Sequence, residues 1–128
     1  MVTTGKKRDI EHTEQARFFA IIRKLAHPAV QWTFAVPNGF LETSSKRIRA
    51  WREGMQSGVW DVFVPYPSKG FHGLFIEFKS PTGTLSDHQK AFCNTVGPRG
   101  YRMEVVRSYK QALLVLQDYL STDEKTDV

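Results

Sequence analysis

The segment Gly73-Leu74-Phe75-Ile76-Glu77-Phe78-Lys79 is a run of aromatic and branched side chains, broken by one acid and closed by one base. Side chains alternate across a β-strand. Leu74, Ile76 and Phe78 therefore turn toward a core, and Phe75, Glu77 and Lys79 share the opposite face. Upstream, Val59 to Val64 is a second β-branched and aromatic run. Asp61 interrupts it at a place where strand propensity gives no reason for an aspartate. Pro65, Pro67, Ser68 and Gly70 supply a turn between the two runs. The pair reads as a hairpin in which Asp61 can approach Glu77, with the meeting decided by register.

Taken alone, an E-x-K strand describes a surface ion pair, which contributes about 0–1 kcal/mol. The combination says more: an acid in one strand, a hairpin, an apolar strand ending in E-x-K, then a helix, all in a basic chain. Phosphodiester hydrolysis needs an activated water and a stabilised anionic transition state, and Mg²⁺ or Mn²⁺ can serve both needs. Such cations take oxygen ligands. Asp61, Glu77 and the backbone carbonyl of Phe78 are the candidate ligands, and Lys79 is the candidate for positioning or activating the water.

The flanking elements follow from periodicity. Downstream, Ser86-Asp87-His88-Gln89 is a capping box opening a helix to about Val96. Gln89 is thus a candidate for either cap or active-site residue, and one side chain is not expected to serve both. Gly97 to Gly100 turns the chain, Tyr101 to Val106 is a strand, and Ser108 caps a last helix ending near Leu120, with Ala112, Leu113, Leu116 and Leu120 inward. Upstream, a helix is expected over Thr13 to Ala26, with Phe18, Ile21, Ile22 and Leu25 at helical spacing and His27-Pro28 as its stop. Glu14 lies one turn before Phe18. It is either a charge favourable to the helix dipole or a further ligand, if the helix start covers Asp61 and Glu77. Val30 to Val36 alternates as a half-buried strand, and Pro37-Asn38-Gly39 turns after it; that loop could also border DNA through Asn38. A helix from Ser45 to Gln56 has Ile48, Trp51 and Met55 as its inner side and Gly58 as its stop. Its Lys46, Arg47, Arg49 and Arg52 are either a solvated surface or a phosphate-contacting face. Trp32 and Trp51 are expected in the core, as is Cys93.

The order of helices and strands gives an α/β or α+β class, with a parallel pairing across the helix that joins the last two strands. The 128 residues suit one domain. We expect a flexible basic arm over residues 1–10, one domain over 11–120 and a flexible tail over 121–128. A hydrophobic content of 41% argues against global disorder. The apolar runs are too short to span a bilayer, and no secretory signal is visible, so a cytoplasmic location is expected, or the host cytoplasm for a viral chain. One cysteine and four scattered histidines exclude an internal disulfide and disfavour structural zinc. A net charge of +5 suits a polyanionic partner.

These residues resemble the virus-type replication-repair nuclease (VRR-NUC) domain of the PD-(D/E)xK superfamily. The resemblance runs through Glu14, Pro37-Asn38-Gly39, Gly58 with Asp61, Gly73-Leu74, Glu77-Phe78-Lys79, Gly83, Leu85-Ser86, Gln89 and Gly100-Tyr101, and covers about Glu11 to Leu120. It implies a restriction-endonuclease-like mixed sheet flanked by helices, and divalent-metal hydrolysis of DNA. It also implies Asp61 and Glu77 as metal ligands, Lys79 as the catalytic lysine, and Glu14 and Gln89 as accessory residues. Trp60 departs from the pattern, standing where the superfamily name has proline; that proline is not a ligand. Small members resemble resolvases of branched DNA such as four-way (Holliday) junctions, often homodimeric, with no small-molecule cofactor. The competing readings are a non-catalytic nucleic-acid binding module, indifferent to metal, and an RNA nuclease on the same fold.

Overall fold

The computed structural model describes residues 4–37 and 43–121. Its centre is a mixed four-stranded sheet in the order β1-β2-β3-β4, made of Phe34–Ala35, Val62–Val64, Gly73–Phe78 and Tyr101–Val106. β2 and β3 form the expected hairpin, antiparallel, pairing Val62 with Ile76, Phe63 with Phe75 and Val64 with Leu74. β4 runs parallel to β3, from Gly73 opposite Tyr101 to Phe78 opposite Val106. The crossover between them is helix α4, Asp87–Val96, followed by a short 3₁₀ turn over Gly97–Arg99.

Alternation along the strands divides the sheet into two different faces. On one, Val62, Val64, Leu74, Ile76, Phe78 and Val106 are buried against Phe18 and Ile22 of helix α1 (Thr4–Ile22) and Ala112, Leu116 and Tyr119 of helix α5 (Tyr109–Leu120). Phe18 meets Phe78 with ring centroids 5.8 Å apart. On the other, Phe63 stacks on Phe75 at 4.4 Å, and Phe75 meets Phe92 of α4 edge-on at 5.0 Å. Burial of this apolar area, at about 25 cal/mol per Å², holds the layers together. The register is firm because a one-residue slip would send every core side chain to the wrong face.

The first third of the chain departs from the sequence expectation. α1 begins at Thr4, not Thr13, so residues 4–10, expected as an arm, are helical. It ends at Ile22, and Ile21 within it and Leu25 beyond it are exposed rather than on an inner stripe. His27-Pro28, expected only to stop a helix, starts another. His27 Nδ1 accepts a hydrogen bond from Ala29 N–H (3.1 Å), and Pro28 opens α2, Pro28–Gln31. Proline at a first helical position loses no hydrogen bond and has φ already set. Val30 is thus buried on a helix, and the expected strand shrinks to two residues.

Helix α3 spans Ser44–Arg52, with Thr43 Oγ1 accepting from Lys46 N–H (3.2 Å) at its start. It stops before Gln56 because Gly54 turns left-handed at φ +103°. Gly58, expected as the stop, has a different use: at φ +90° it lets the backbone approach α4 so closely that a Cβ there would lie 2.6 Å from the His88 carbonyl oxygen. Among the described residues no helix is long and apolar enough to cross a membrane.

Candidate active site

Asp61 and Glu77 come together one position beyond the last paired residues of the hairpin, Val62 and Ile76. Each acid is pinned by the other strand's backbone. Asp61 N–H donates to Glu77 Oε1 (3.1 Å), and Phe78 N–H donates to Asp61 Oδ2 (2.9 Å). Glu77 is 2% exposed. Its other oxygen, Oε2, lies 3.4 Å from Lys79 Nζ and accepts from Gln89 Nε2 at 3.0 Å.

A buried acid and a half-buried one facing one ammonium are short of positive charge. Burial, and then the Asp61 charge, push the Glu77 carboxyl up to about 8, against the pull of Lys79 and of the Asp61 N–H. Asp61 is raised as well, chiefly by burial and further by Glu11, against the Phe78 N–H and Lys79. A hard cation would relieve this deficit, and carboxylate oxygens are the donors it favours. The fit is partial in number: among the described residues, no three His, Cys, Asp or Glu side chains gather as a metal-holding group. Two carboxylates leave the remaining positions to carbonyl oxygen and water, which suits Mg²⁺.

Gln89 departs from the expectation that one side chain would not both cap the helix and reach the candidate site. Its Oε1 accepts from Ser86 N–H (2.9 Å) while its Nε2 holds Glu77. Ser86 Oγ accepts in return from Gln89 N–H at 3.2 Å. A primary amide has an acceptor and a donor at opposite corners, and both are used. Trp60, in place of the expected proline, is buried and donates its indole N–H to the Gln89 carbonyl (3.0 Å), tying the approach to β2 onto α4.

Glu14 does not join the site. Its Oε1 accepts from Tyr109 N–H (2.8 Å) at the start of α5, and Oε2 is 3.6 Å from Arg17. Glu11 takes the place expected for it. Its Oε2 accepts from Ser80 N–H (3.1 Å), immediately after Lys79. Arg8, Glu11, His12 and Gln15 wall a cleft of about 540 Å³ that also holds Asp61, Glu77, Lys79 and Gln89. These four recur at helical spacing, a polar stripe that becomes visible once the helix is started before residue 8. A second residue missed from sequence is Arg107, whose Nη1 donates to the Ser80 (2.7 Å) and Gly83 carbonyls and so fixes the turn behind Lys79.

With this geometry in view, residues 7–110 match the family model of the VRR-NUC domain. The chain belongs to the VRR-NUC family. Nuclease-family function follows for it, with nucleic acid as the substrate class. A solved structure of a VRR-NUC domain protein, 19% identical, covers 87% of this chain and 88% of its own length with a TM-score of 0.74, which supports the fold. Among curated protein sequences nothing matches.

The candidate phosphate-binding cations of this VRR-NUC domain lie apart from the acids. Lys46, Arg47, Arg49 and Arg52 are exposed on α3 and do not line the cleft. Arg49 pairs with Glu53 at 3.6 Å, and Arg47 Nη2 donates to Ser44 Oγ at 3.2 Å. Asn38 lies outside the described residues, though Pro37 before it borders the cleft. Ile48 and Trp51, expected on the inner side of α3, are 52% and 66% exposed, and Trp32 is 69% exposed rather than in the core.

Proposed function

We propose that this VRR-NUC domain is a divalent-metal-dependent DNA endonuclease, selective for branched DNA such as four-way junctions and active as a homodimer. The observation that carries the reading is the pairing of half-buried Asp61 with buried Glu77, with Lys79 and Gln89 on the same oxygen of Glu77. Asp61, Glu77 and the Phe78 carbonyl are the residues that would hold Mg²⁺ or Mn²⁺. When bound, such an ion supplies Lewis acidity toward a phosphate oxygen and lowers the pKa of water.

The chain's own residues supply the rest. The Lys79 ammonium, almost buried, stands next to the acids, where it orients a water and offsets the charge of a phosphate. Gln89 holds Glu77 in one rotamer, so the carboxylate needs no reorganisation when substrate arrives. Glu11 fixes the backbone after Lys79 and thereby the root of that side chain. The cations of α3 attract the phosphate backbone. Exposed Trp32, beside the edge strand β1, offers apolar surface for a second copy, and a twofold dimer would present two sites to the two strands of a junction.

The test is cleavage of end-labelled four-way junction, linear duplex DNA and single-stranded RNA, with Mn²⁺, with Mg²⁺ and with chelator. Wild type is expected to cut the junction most rapidly and only with metal. Glu77→Ala and Lys79→Ala are expected to cut at least about a hundredfold more slowly. Cutting by either variant at the wild-type rate would remove the assigned site. Metal-independent binding without cutting by wild type would favour a binding module, a reading opposed by carboxylates that repel phosphate in the absence of a cation.

A further inference from the structure

We propose that the outer face of α3 is a stacking surface for unpaired bases, with Trp51 as its platform. The proposal rests on the nucleic-acid reading above and specifies the substrate feature recognised. At 100° per residue, Arg47, Ile48, Trp51 and Arg52 fall on one side of the helix, and all four are exposed. Ala50 and Glu53 fall on the other side and line a hollow with Gly54, Met55 and Val59. That hollow shares Val36 and Pro37 with the cleft of Asp61 and Glu77. α3 therefore neighbours the cleft through this hollow, and a strand would have to pass over the helix to reach Trp51 on its outer face.

A tryptophan 66% exposed contributes little to the core of its own chain. Set between two arginines on a helix that also bears Lys46 and Arg49, it has the composition of a single-strand binding surface: cations for phosphates and a ring for the face of a base. Association of this face with its own copy would bring the arginines of both copies together, so self-pairing is disfavoured by charge. A nucleic acid offers the matching anion and the matching π-face at once. In a duplex the base faces are already stacked on one another. Only unpaired nucleotides, at a branch, gap or frayed end, can use Trp51, and the surface would then read strand openness rather than sequence.

The experiment is equilibrium binding by fluorescence anisotropy, in chelator so that nothing is cut. The ligands are a labelled single-stranded oligonucleotide and the same sequence as a blunt duplex, and the proteins are wild type, Trp51→Ala and Trp51→Phe. Trp51→Ala is expected to weaken single-strand binding about tenfold while duplex affinity changes less than about twofold. Trp51→Phe is expected to keep most of the affinity. Equal binding of the single strand by Trp51→Ala and wild type overturns the proposal, as does an equal loss for both ligands. Failure of wild type to bind either ligand overturns this proposal and the nucleic-acid reading together. Metal-dependent cutting by wild type alongside an indifferent Trp51→Ala overturns the stacking surface alone.

Discussion

Raising the pH from about 5 to about 8 in the presence of a chelator is expected to destabilise this chain through one side chain. Glu77 has an ordinary carboxyl value of 4.5, and its burial beside Asp61 raises this to about 8 in the folded chain. Between those values the folded chain keeps a proton that the unfolded chain has released. The stability contributed by the neutral acid is therefore complete below 4.5 and is lost as pH climbs through 8. Asp61 is shifted in the same direction and adds to the loss. At about 1.4 kcal/mol per pKa unit, Glu77 alone accounts for about 3 kcal/mol over this pH range. For a domain of this size that lowers Tm by about 10 °C. Thermal denaturation followed by circular dichroism, with wild type and Glu77→Gln side by side, measures it. The amide has no proton to lose, so the variant should show less than about half the wild-type decrease. Groups remote from Glu77 that titrate in this range contribute to both chains and cancel in the comparison, whereas the share of Asp61, coupled to Glu77, changes with it. Equal decreases in the two chains would refute the reasoning, because the pH dependence would then not come from Glu77.

Three further outcomes follow from the same geometry. Glu14→Ala should lower stability by about 1–2 kcal/mol through loss of the bond to Tyr109 N–H while leaving cleavage near wild type, whereas Glu11→Ala should slow cleavage; chemical denaturation and a cleavage assay on both variants separate the two acids. Gln89→Ala should lose about 1 kcal/mol of helix-start stability and also slow cleavage, a double effect of which Ser86→Ala, which keeps the Gln89 amide, should show mainly the stability half, by the same two assays. Phe18→Ala should cost about 3–5 kcal/mol in urea denaturation, since its ring is fully buried against Phe78.

The sequence was most legible where one periodicity had one cause. Leu74, Ile76 and Phe78 alternate because one sheet face is buried, and β4 matches its expected span, Tyr101–Val106. Asp61 was conspicuous because a strand has no use for it. The first helix was harder. Its early turns are polar on most sides, since they wall a cleft rather than a core, so apolar spacing began too late and favoured Glu14 over Glu11. Val30, Trp32 and Phe34 alternate in sequence without sharing a face, because Pro28 winds the first of them into a helix. On α3, Ile48 and Trp51 have the spacing of a core stripe yet face outward, and hydrophobicity alone cannot tell a core side chain from one kept for a partner.

The two hydrogen bonds of the Gln89 amide have a consequence for how the chain becomes competent. One corner of that group closes the opening turn of a helix and the other steadies an acid in the neighbouring strand. The helix must therefore be wound through its first turn before Glu77 gains its Gln89 partner, and fraying of that turn loosens an acid that Asp61 N–H and Lys79 still hold from the hairpin. Loss of cutting on mild heating should then precede loss of the fold.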